Sequence, residues 1–149
     1  MSFLFIKATQ SDIPYLQSLR EQTMHEHLKR AGKNMTTEQH MQRVLYRFDL
    51  AHIIQHNDIR IGALKYDITS RPVSILQLQI APPFQNKGYG KQILENIMST
   101  HRKAGVSLSV LKDNPALQLY QRLGFRQTGE DALEYHLIYP PVQNNERIN

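Results

Sequence analysis

The stretch Gln85-Asn86-Lys87-Gly88-Tyr89-Gly90-Lys91 brings together the residue types that grip a phosphate. It follows an apolar run that ends at Ile80 and precedes a segment whose apolar residues, Ile93, Leu94, Ile97 and Met98, recur at helical spacing. A helix starting there leaves its first N–H groups without intrahelical partners, and its dipole adds partial positive charge. Gly88 and Gly90 let the backbone approach an anion closely, and Lys87 and Lys91 add charge. The loop therefore reads as a cradle for a pyrophosphate. The plain alternative is a helix start made of turn residues with solvated lysines, and residue types alone do not separate the two. Two other phosphate loops fit less well. A P-loop needs Gly-Lys-Ser/Thr after its four-residue spacer, and a dinucleotide fingerprint needs a third glycine where Ile93 stands.

Other chemistries are constrained by what the chain contains. It has no cysteine, which excludes a thiol nucleophile, a disulfide scaffold and a cysteine-based zinc site. His25 and His27 are two apart and do not share a helix face. His52 and His56 have helical metal spacing but fall on a strand and its turn, so no metal is expected. The net charge of +5 comes from scattered lysines and arginines, which suits a polyanionic small molecule better than a nucleic acid. The N-terminal apolar burst is too short for a secretory signal, and no apolar run reaches membrane length. A cytoplasmic protein with no membrane or nucleic-acid partner is expected.

The elements that must position the loop follow from periodicity. Phe3–Ala8 reads as a strand, and a helix runs from about Pro14 to Arg30 and stops at Gly32. Thr36 and Gln39 form a capping box for a second helix with the stripe Met41, Val44, Leu45 and Phe48. Ala51–Gln55, Ile59–Ile68 and Val73–Ile80 read as strands joined by His56-Asn57-Asp58 and Ser70-Arg71-Pro72, an antiparallel meander. The third strand alternates, with Val73, Ile75, Gln77 and Gln79 on one side. The helix after the loop runs to about Lys103, and Val106–Leu111 is a short apolar strand. Asn114-Pro115 opens a helix with Ala116, Leu119, Tyr120 and Leu123 on one face, and Gly124 ends it. Phe125–Glu130 and Leu133–Tyr139 close the chain as a hairpin. The order β-α-α-β-β-β-α-β-α-β-β places the chain in the α/β classes, as an α+β mixed sheet flanked by helices. Residues 1–139 read as a single domain and residues 140–149 as a polar C-terminal tail.

With the elements placed, two blocks stand out. Gln85, Gly88 and Gly90 match the pattern Gln/Arg-x-x-Gly-x-Gly/Ala, preceded by Ile80-x-Pro82 at a strand end. Downstream, Val110–Phe125 offers an apolar strand end and then Asn114, Ala116, Tyr120, Gly124 and Phe125. In these residues the chain resembles the GNAT superfamily of N-acetyltransferases, over Phe3–Tyr139 and most strongly over Ile75–Phe125. The resemblance implies a mostly antiparallel sheet whose parallel pair, Val73–Ile80 and Val106–Leu111, splays to admit acetyl-CoA as co-substrate. It implies that backbone groups of Leu78, Gln79 and Ile80 pair with the pantetheine arm. Backbone N–H groups of Gln85, Asn86, Lys87, Gly88, Tyr89, Gly90 and Lys91 would hold the pyrophosphate. Asn114 and Ala116 would lie along the arm, and Tyr120 near the sulfur as general acid. The implied reaction is direct attack of a primary amine on the thioester in a ternary complex, with no covalent enzyme intermediate. From spacing alone, Tyr120 reads as core packing and Asn114 as a helix cap.

Two parts of that chemistry are missing from the sequence. Many relatives carry a carboxylate on the strand before the loop, but here it offers Gln77 and Gln79, which take no proton usefully. Water, or a carboxylate such as Glu21, Glu26 or Asp67, must then serve as base. The amine acceptor is open, with Thr23, Met24, His27, Tyr46, Tyr66 and Tyr135 as candidate lining. A non-catalytic acyl-CoA-sensing module is the alternative that the missing carboxylate keeps open, and a homodimer is compatible with either.

Overall fold

The computed structural model describes residues 2–30 and 32–142; the side chains of His25, Glu26, His27 and Arg30 lie outside the described residues. Its strands are β1 (Leu4–Lys7), β2 (Ala51–His56), β3 (Ile59–Asp67), β4 (Val73–Ile80), β5 (Val106–Leu111), β6 (Arg126–Glu130) and β7 (Glu134–Tyr139). Its helices are α1 (Ile13–Arg30), α2 (Thr37–Leu45), α3 (Tyr89–Thr100) and α4 (Ala116–Leu123). The strands form a seven-stranded mixed sheet in the order β1-β2-β3-β4-β5-β7-β6. β4 and β5 are parallel, while β1–β2, β2–β3, β5–β7 and β6–β7 are antiparallel. The mixed class and the parallel pair expected from the sequence are both present.

The chain divides into two compact units, one of residues 1–66 and 77–90, the other of residues 67–76 and 91–149. In the first, Thr36 and Gln39 cap α2 reciprocally. The Gln39 N–H donates to Thr36 Oγ1 at 3.1 Å, and the Thr36 N–H to Gln39 Oε1 at 2.8 Å. The apolar stripe expected on α2 is only partly realised. His40 and Val44 are its buried residues, and Leu45 is 48% exposed. Tyr46 is extended (ψ 123) and Arg47 left-handed (φ 48), so α2 stops at Leu45 and Phe48 falls in a separate 3-10 turn. From there Phe48 packs against the cluster of Ala8, Leu16, Val44, Ala51 and Ile53. Asn57 and Asp58 both have positive φ (53 and 64), the geometry that lets a tight turn match the twist of the strands it joins.

In the second unit the described β4–β5 ladder runs from Val73–Val106 to Ile75–Leu108. β4 continues to Ile80 and β5 to Leu111, where β5 stays paired with β7 through Leu111–Glu134. α3 buries Ile93, Leu94, Ile97 and Met98, the stripe read from the sequence. It ends at Thr100, short of Lys103, and the chain turns at Gly105 (φ 77). Gly124 (φ 106) ends α4 through N–H bonds to the carbonyls of Tyr120 and Gln121. At the start of the expected tail, the Val142 N–H donates to the Arg102 carbonyl at 2.9 Å; residues 143–149 lie outside the described residues. Among the described residues no helix is long and apolar enough to cross a membrane.

Candidate functional site

The loop after β4 is shaped by local sequence. Pro82–Phe84 forms a 3-10 turn, and Gln85 Nε2 donates back to the Ile80 carbonyl at 2.8 Å. Asn86 (φ 63) and Gly88 (φ 81) are both left-handed, and α3 begins at Tyr89. Left-handed residues of this kind are one component of the backbone concavities that bind anions. Residues 85–88 are exposed, and neither Lys87 nor Lys91 has a side-chain partner among the described residues. A Cβ built on Gly90 would meet nothing within 4 Å, so the space beside this helix start is open. Exposed donors, a positive helix end and unfilled space fit a pyrophosphate.

The loop has an anchor that sequence reading missed. The Tyr89 ring lies 5.7 Å from Phe3 and 5.1 Å from His56, and Phe3 stacks on His56 at 4.8 Å. Three aromatic rings, from the residue before β1, the end of β2 and the start of α3, thus pin the end of the loop within the first unit. No local pattern announces residues that far apart in sequence.

On β4, Gln77 and Gln79 line a cavity of about 20 Å³ with Leu16, Arg20, Val44, Ala63, Leu64 and Lys65. Gln79 is 6% exposed, and its Nε2 has no hydrogen-bond partner among the described residues. A polar space of this size suits an ordered water. Around it are buried cations. Arg20 Nε donates to His40 Nδ1 at 3.2 Å, which leaves the imidazole proton on Nε2. Lys65 Nζ donates to the carbonyls of Arg43, Val44 and Tyr46, closing the C-terminal end of α2. Burial, aided by the nearby Arg43, brings Arg20 down to about 10. Burial, with Arg20 and Arg43 nearby, brings Lys65 down to about 8. Between that value and the ordinary lysine value of 10.5 the unfolded chain binds more protons than the folded one. Stability contributed through Lys65 therefore rises as pH climbs from 8 toward 10.5 and is lost again as pH falls back toward 8. Urea denaturation at about pH 7.5 and about pH 10 should show a gain in wild type, at most about 3 kcal/mol, that Lys65→Met lacks. Equal pH dependence in the two proteins would contradict the assignment.

In the second unit, Asn114 Oδ1 accepts the Ala116 N–H at 2.9 Å, a local bond at the start of α4 just ahead of its N-cap residue, Pro115. Tyr120 on α4 meets Phe125 edge-on at 5.8 Å between centroids. Burial raises its hydroxyl above the ordinary tyrosine value, which keeps it protonated through the neutral range. That hydroxyl has no hydrogen-bond partner among the described residues. The ring is packed, as spacing suggests, and the hydroxyl is left to interact with something else.

The remaining candidates are distributed as follows. Leu78 to Gly90 belong to the first unit, and Lys91, Asn114, Ala116 and Tyr120 to the second. Asp67 Oδ1 accepts from the Thr69 N–H and hydroxyl, a turn-closing role at the end of β3. Glu21 is half-buried on α1, while the side chains of Glu26 and His27 lie outside the described residues. Thr23 donates to the Leu19 carbonyl at 2.9 Å, Met24 is half-buried, and Tyr46 is 56% exposed. The Tyr66 ring lies against Phe5 and His52, and Lys112 sits over the Tyr135 ring at 5.3 Å. His52 and His56 bond separately, through Nδ1, to the carbonyls of Leu50 and Ser2. Sequence reading also missed a polar chain on the second unit. Ser109 Oγ is 2.7 Å from His136 Nδ1, and His136 Nε2 is 3.3 Å from Asp131 Oδ2. Strand register brings Ser109 beside His136, and the turn between β6 and β7 holds Asp131.

A family model described as Acetyltransferase (GNAT) domain matches residues 48–127. The cysteine-rich protein 2-binding proteins of Mus musculus and Homo sapiens are 26% and 27% identical over 109 residues. That alignment covers 66% of this chain and 14% of either relative, so the chain spans a small part of their length. An acetyltransferase from Thermus thermophilus superposes with a TM-score of 0.74 at 19% identity, covering 94% of this chain and 97% of that one. The PaiA N-acetyltransferase of Thermoplasma acidophilum, in complex with coenzyme A, gives 0.67 at 17% identity, covering 93% and 98%. The spermidine/spermine N-acetyltransferase SpeG of Vibrio cholerae gives 0.66 at 14% identity, covering 99% and 98%. These likenesses are of fold.

Proposed function

Because the chain belongs to the GNAT acetyltransferase family, we propose that it transfers an acetyl group from acetyl-CoA to a primary amine by direct attack. The observation that carries this reading is the open, left-handed loop at the start of α3, with unfilled space beside Gly90. The coenzyme A bound to the PaiA protein supports the choice of donor. Acetyl-CoA supplies the acetyl group activated as a thioester. This chain's residues then have distinct tasks. Backbone N–H groups of Gln85 to Lys91 bind the pyrophosphate. Backbone groups of Leu78 to Ile80 pair with the pantetheine arm, and Asn114 and Ala116 lie along it. Holding both reactants in one orientation supplies much of the acceleration. Tyr120, protonated and with no hydrogen-bond partner for its hydroxyl among the described residues, delivers a proton to the departing sulfur. Residues 1–139 act as one catalytic domain in a cytoplasmic protein. Gln77 and Gln79 in place of a carboxylate favour a second reading, an acyl-CoA sensor without turnover.

Gly90→Leu tests the loop. Leucine in a helical position is favoured over glycine by up to about 0.8 kcal/mol, and its Cβ would meet no described neighbour within 4 Å, so Tm should hold or rise. Coenzyme A titrated calorimetrically should nevertheless bind at least tenfold more weakly. Unchanged affinity would take the donor away from this loop. Thiol release from acetyl-CoA across an amine panel then decides between enzyme and sensor, since a sensor binds and releases nothing.

A further inference from the structure

We propose that Ser109, His136 and Asp131 form a proton relay that takes the proton from the acceptor amine, supplying the base that β4 lacks. The proposal rests on the transferase reading above. Its geometry comes from the sheet. Ser109 and His136 are directly opposed in the antiparallel β5–β7 ladder, so their side chains leave the same face. Ser109 Oγ lies 2.7 Å from His136 Nδ1, and His136 Nε2 lies 3.3 Å from Asp131 Oδ2.

The order of donors along the chain is set by Asp131. Its Oδ1 accepts the backbone N–H groups of Leu133 and Glu134 at 2.9 and 2.8 Å. Those bonds, with smaller help from His136 and Lys112, hold its carboxyl below the ordinary aspartate value. Asp131 is therefore an ionised acceptor in a fixed place at neutral pH. It draws the imidazole proton to Nε2, which leaves the Nδ1 lone pair facing the Ser109 hydroxyl. A hydroxyl, an imidazole and an orienting carboxylate in this sequence are the parts of an activated-hydroxyl site.

The surroundings favour service over structure. Ser109 is exposed, and the His136 and Asp131 side chains are 41% and 53% exposed, so a substrate can reach all three. On the β6 side the His136 ring lies over Gly129, where a Cβ would come within 3.8 Å of Cδ2. Thr128 Oγ1 donates to the His136 carbonyl at 3.2 Å. The nearby charges are spoken for, since Lys112 pairs with Glu130 and lies over Tyr135. Ser109 directly follows Leu108, the last β5 residue of the described parallel ladder with β4. The end of that ladder is where the resemblance opens the sheet to the acyl donor.

In the step, the N–C bond to the acetyl carbon forms as the C–S bond breaks. The amine proton passes to Ser109 Oγ as the Ser109 hydroxyl proton passes to His136 Nδ1. Tyr120 protonates the sulfur. The imidazolium, held by Asp131, gives its proton to water, and Tyr120 takes one back. Ser109 is the catalytic residue that meets the amine, His136 the base behind it, and Asp131 a positioning residue.

Two measurements test the relay. Nitrogen-15 NMR of the free protein should show His136 as the Nε2–H tautomer, and Asp131→Asn should lose that preference. Wild type with an Nδ1–H imidazole would overturn the proposal without reference to activity. With a turned-over amine, His136→Gln and Ser109→Ala should each lower kcat at least a hundredfold, the range for general-base loss, with KM for acetyl-CoA unchanged. Ser109→Thr should recover most of the rate. Activity within threefold of wild type in His136→Gln sinks the relay alone. A wild type that binds coenzyme A but acetylates no amine sinks the transferase reading, and the base role with it.

Discussion

Tyr120→Phe is expected to lower kcat by about 10²–10⁴-fold while leaving KM for acetyl-CoA and Tm nearly unchanged. The separation of these effects follows from how Tyr120 is held. Its ring makes the edge-on contact with Phe125, and Phe125 in turn meets Tyr139 at 5.8 Å. Phenylalanine keeps that packing. The lost hydroxyl has no hydrogen-bond partner among the described residues, so its removal strands no buried donor or acceptor. The missing factor is proton delivery to sulfur, on the order of 3–5 kcal/mol of transition-state stabilisation. Burial raises the hydroxyl above its ordinary value of 10.0, so the proton is present throughout the usual assay range. Loss of activity through ionisation of this group should therefore appear only above pH 10. A variant with wild-type kcat would remove Tyr120 from the chemistry and leave it as a packing residue of α4.

How far the sequence foretells such a site depends on the range of the interactions that build it. β4 is legible to the residue, Val73–Ile80, because prolines bound an alternating run. The buried stripe of α3 is legible because four apolar residues at helical spacing leave one arrangement. The end of α2 is not. Arg47 takes a left-handed turn with no glycine to announce it, and the Lys65 ammonium that closes the helix arrives from β3. Arg20 and Lys65 belong by type to the surface, yet both are buried, because Arg20 donates to His40 and Lys65 to the carbonyls at the end of α2.

The site divides the same way. The loop proposed to hold the anion is a local object, made by a turn, two glycines and a helix start, so seven consecutive residues are enough to suggest it. The Asn114 bond to the first turn of α4 is local for the same reason. The Phe3–His56–Tyr89 anchor and the Ser109–His136–Asp131 chain depend on strand pairing between distant segments. Neither has a period or spacing to betray it. Carboxylates are conspicuous in a sequence, which turns the search for a base toward β4; a histidine paired with a serine across two strands is not.

Gly62→Ala carries the largest expected cost to the fold. Gly62 lies on β3 opposite Ile54 in the β2–β3 ladder. A Cβ at this position would sit 2.0 Å from the Gln79 carbonyl oxygen and 3.1 Å from both Gln79 C and Ile80 Cα. All three atoms are backbone, so no side-chain rotation relieves the clash, and β4 must move away from β3. Beside it the Ala81 N–H donates to the Ile61 carbonyl at 2.8 Å, a bond that such a shift stretches. Overpacking costs about 1–3 kcal/mol where side chains can yield, and a backbone obstacle belongs at or above the top of that range. Thermal denaturation should show a fall in Tm of roughly 6–12 °C for about 3 kcal/mol in a protein of this size. The displaced carbonyl belongs to the segment assigned to the pantetheine arm, so coenzyme A affinity should fall together with stability. Gly90→Leu, with open space around it, should lose affinity alone. The two glycines then answer different questions: an unchanged Tm in Gly62→Ala would deny the close approach of β3 to β4, while parallel stability losses in both variants would deny that Gly90 is kept small for a ligand.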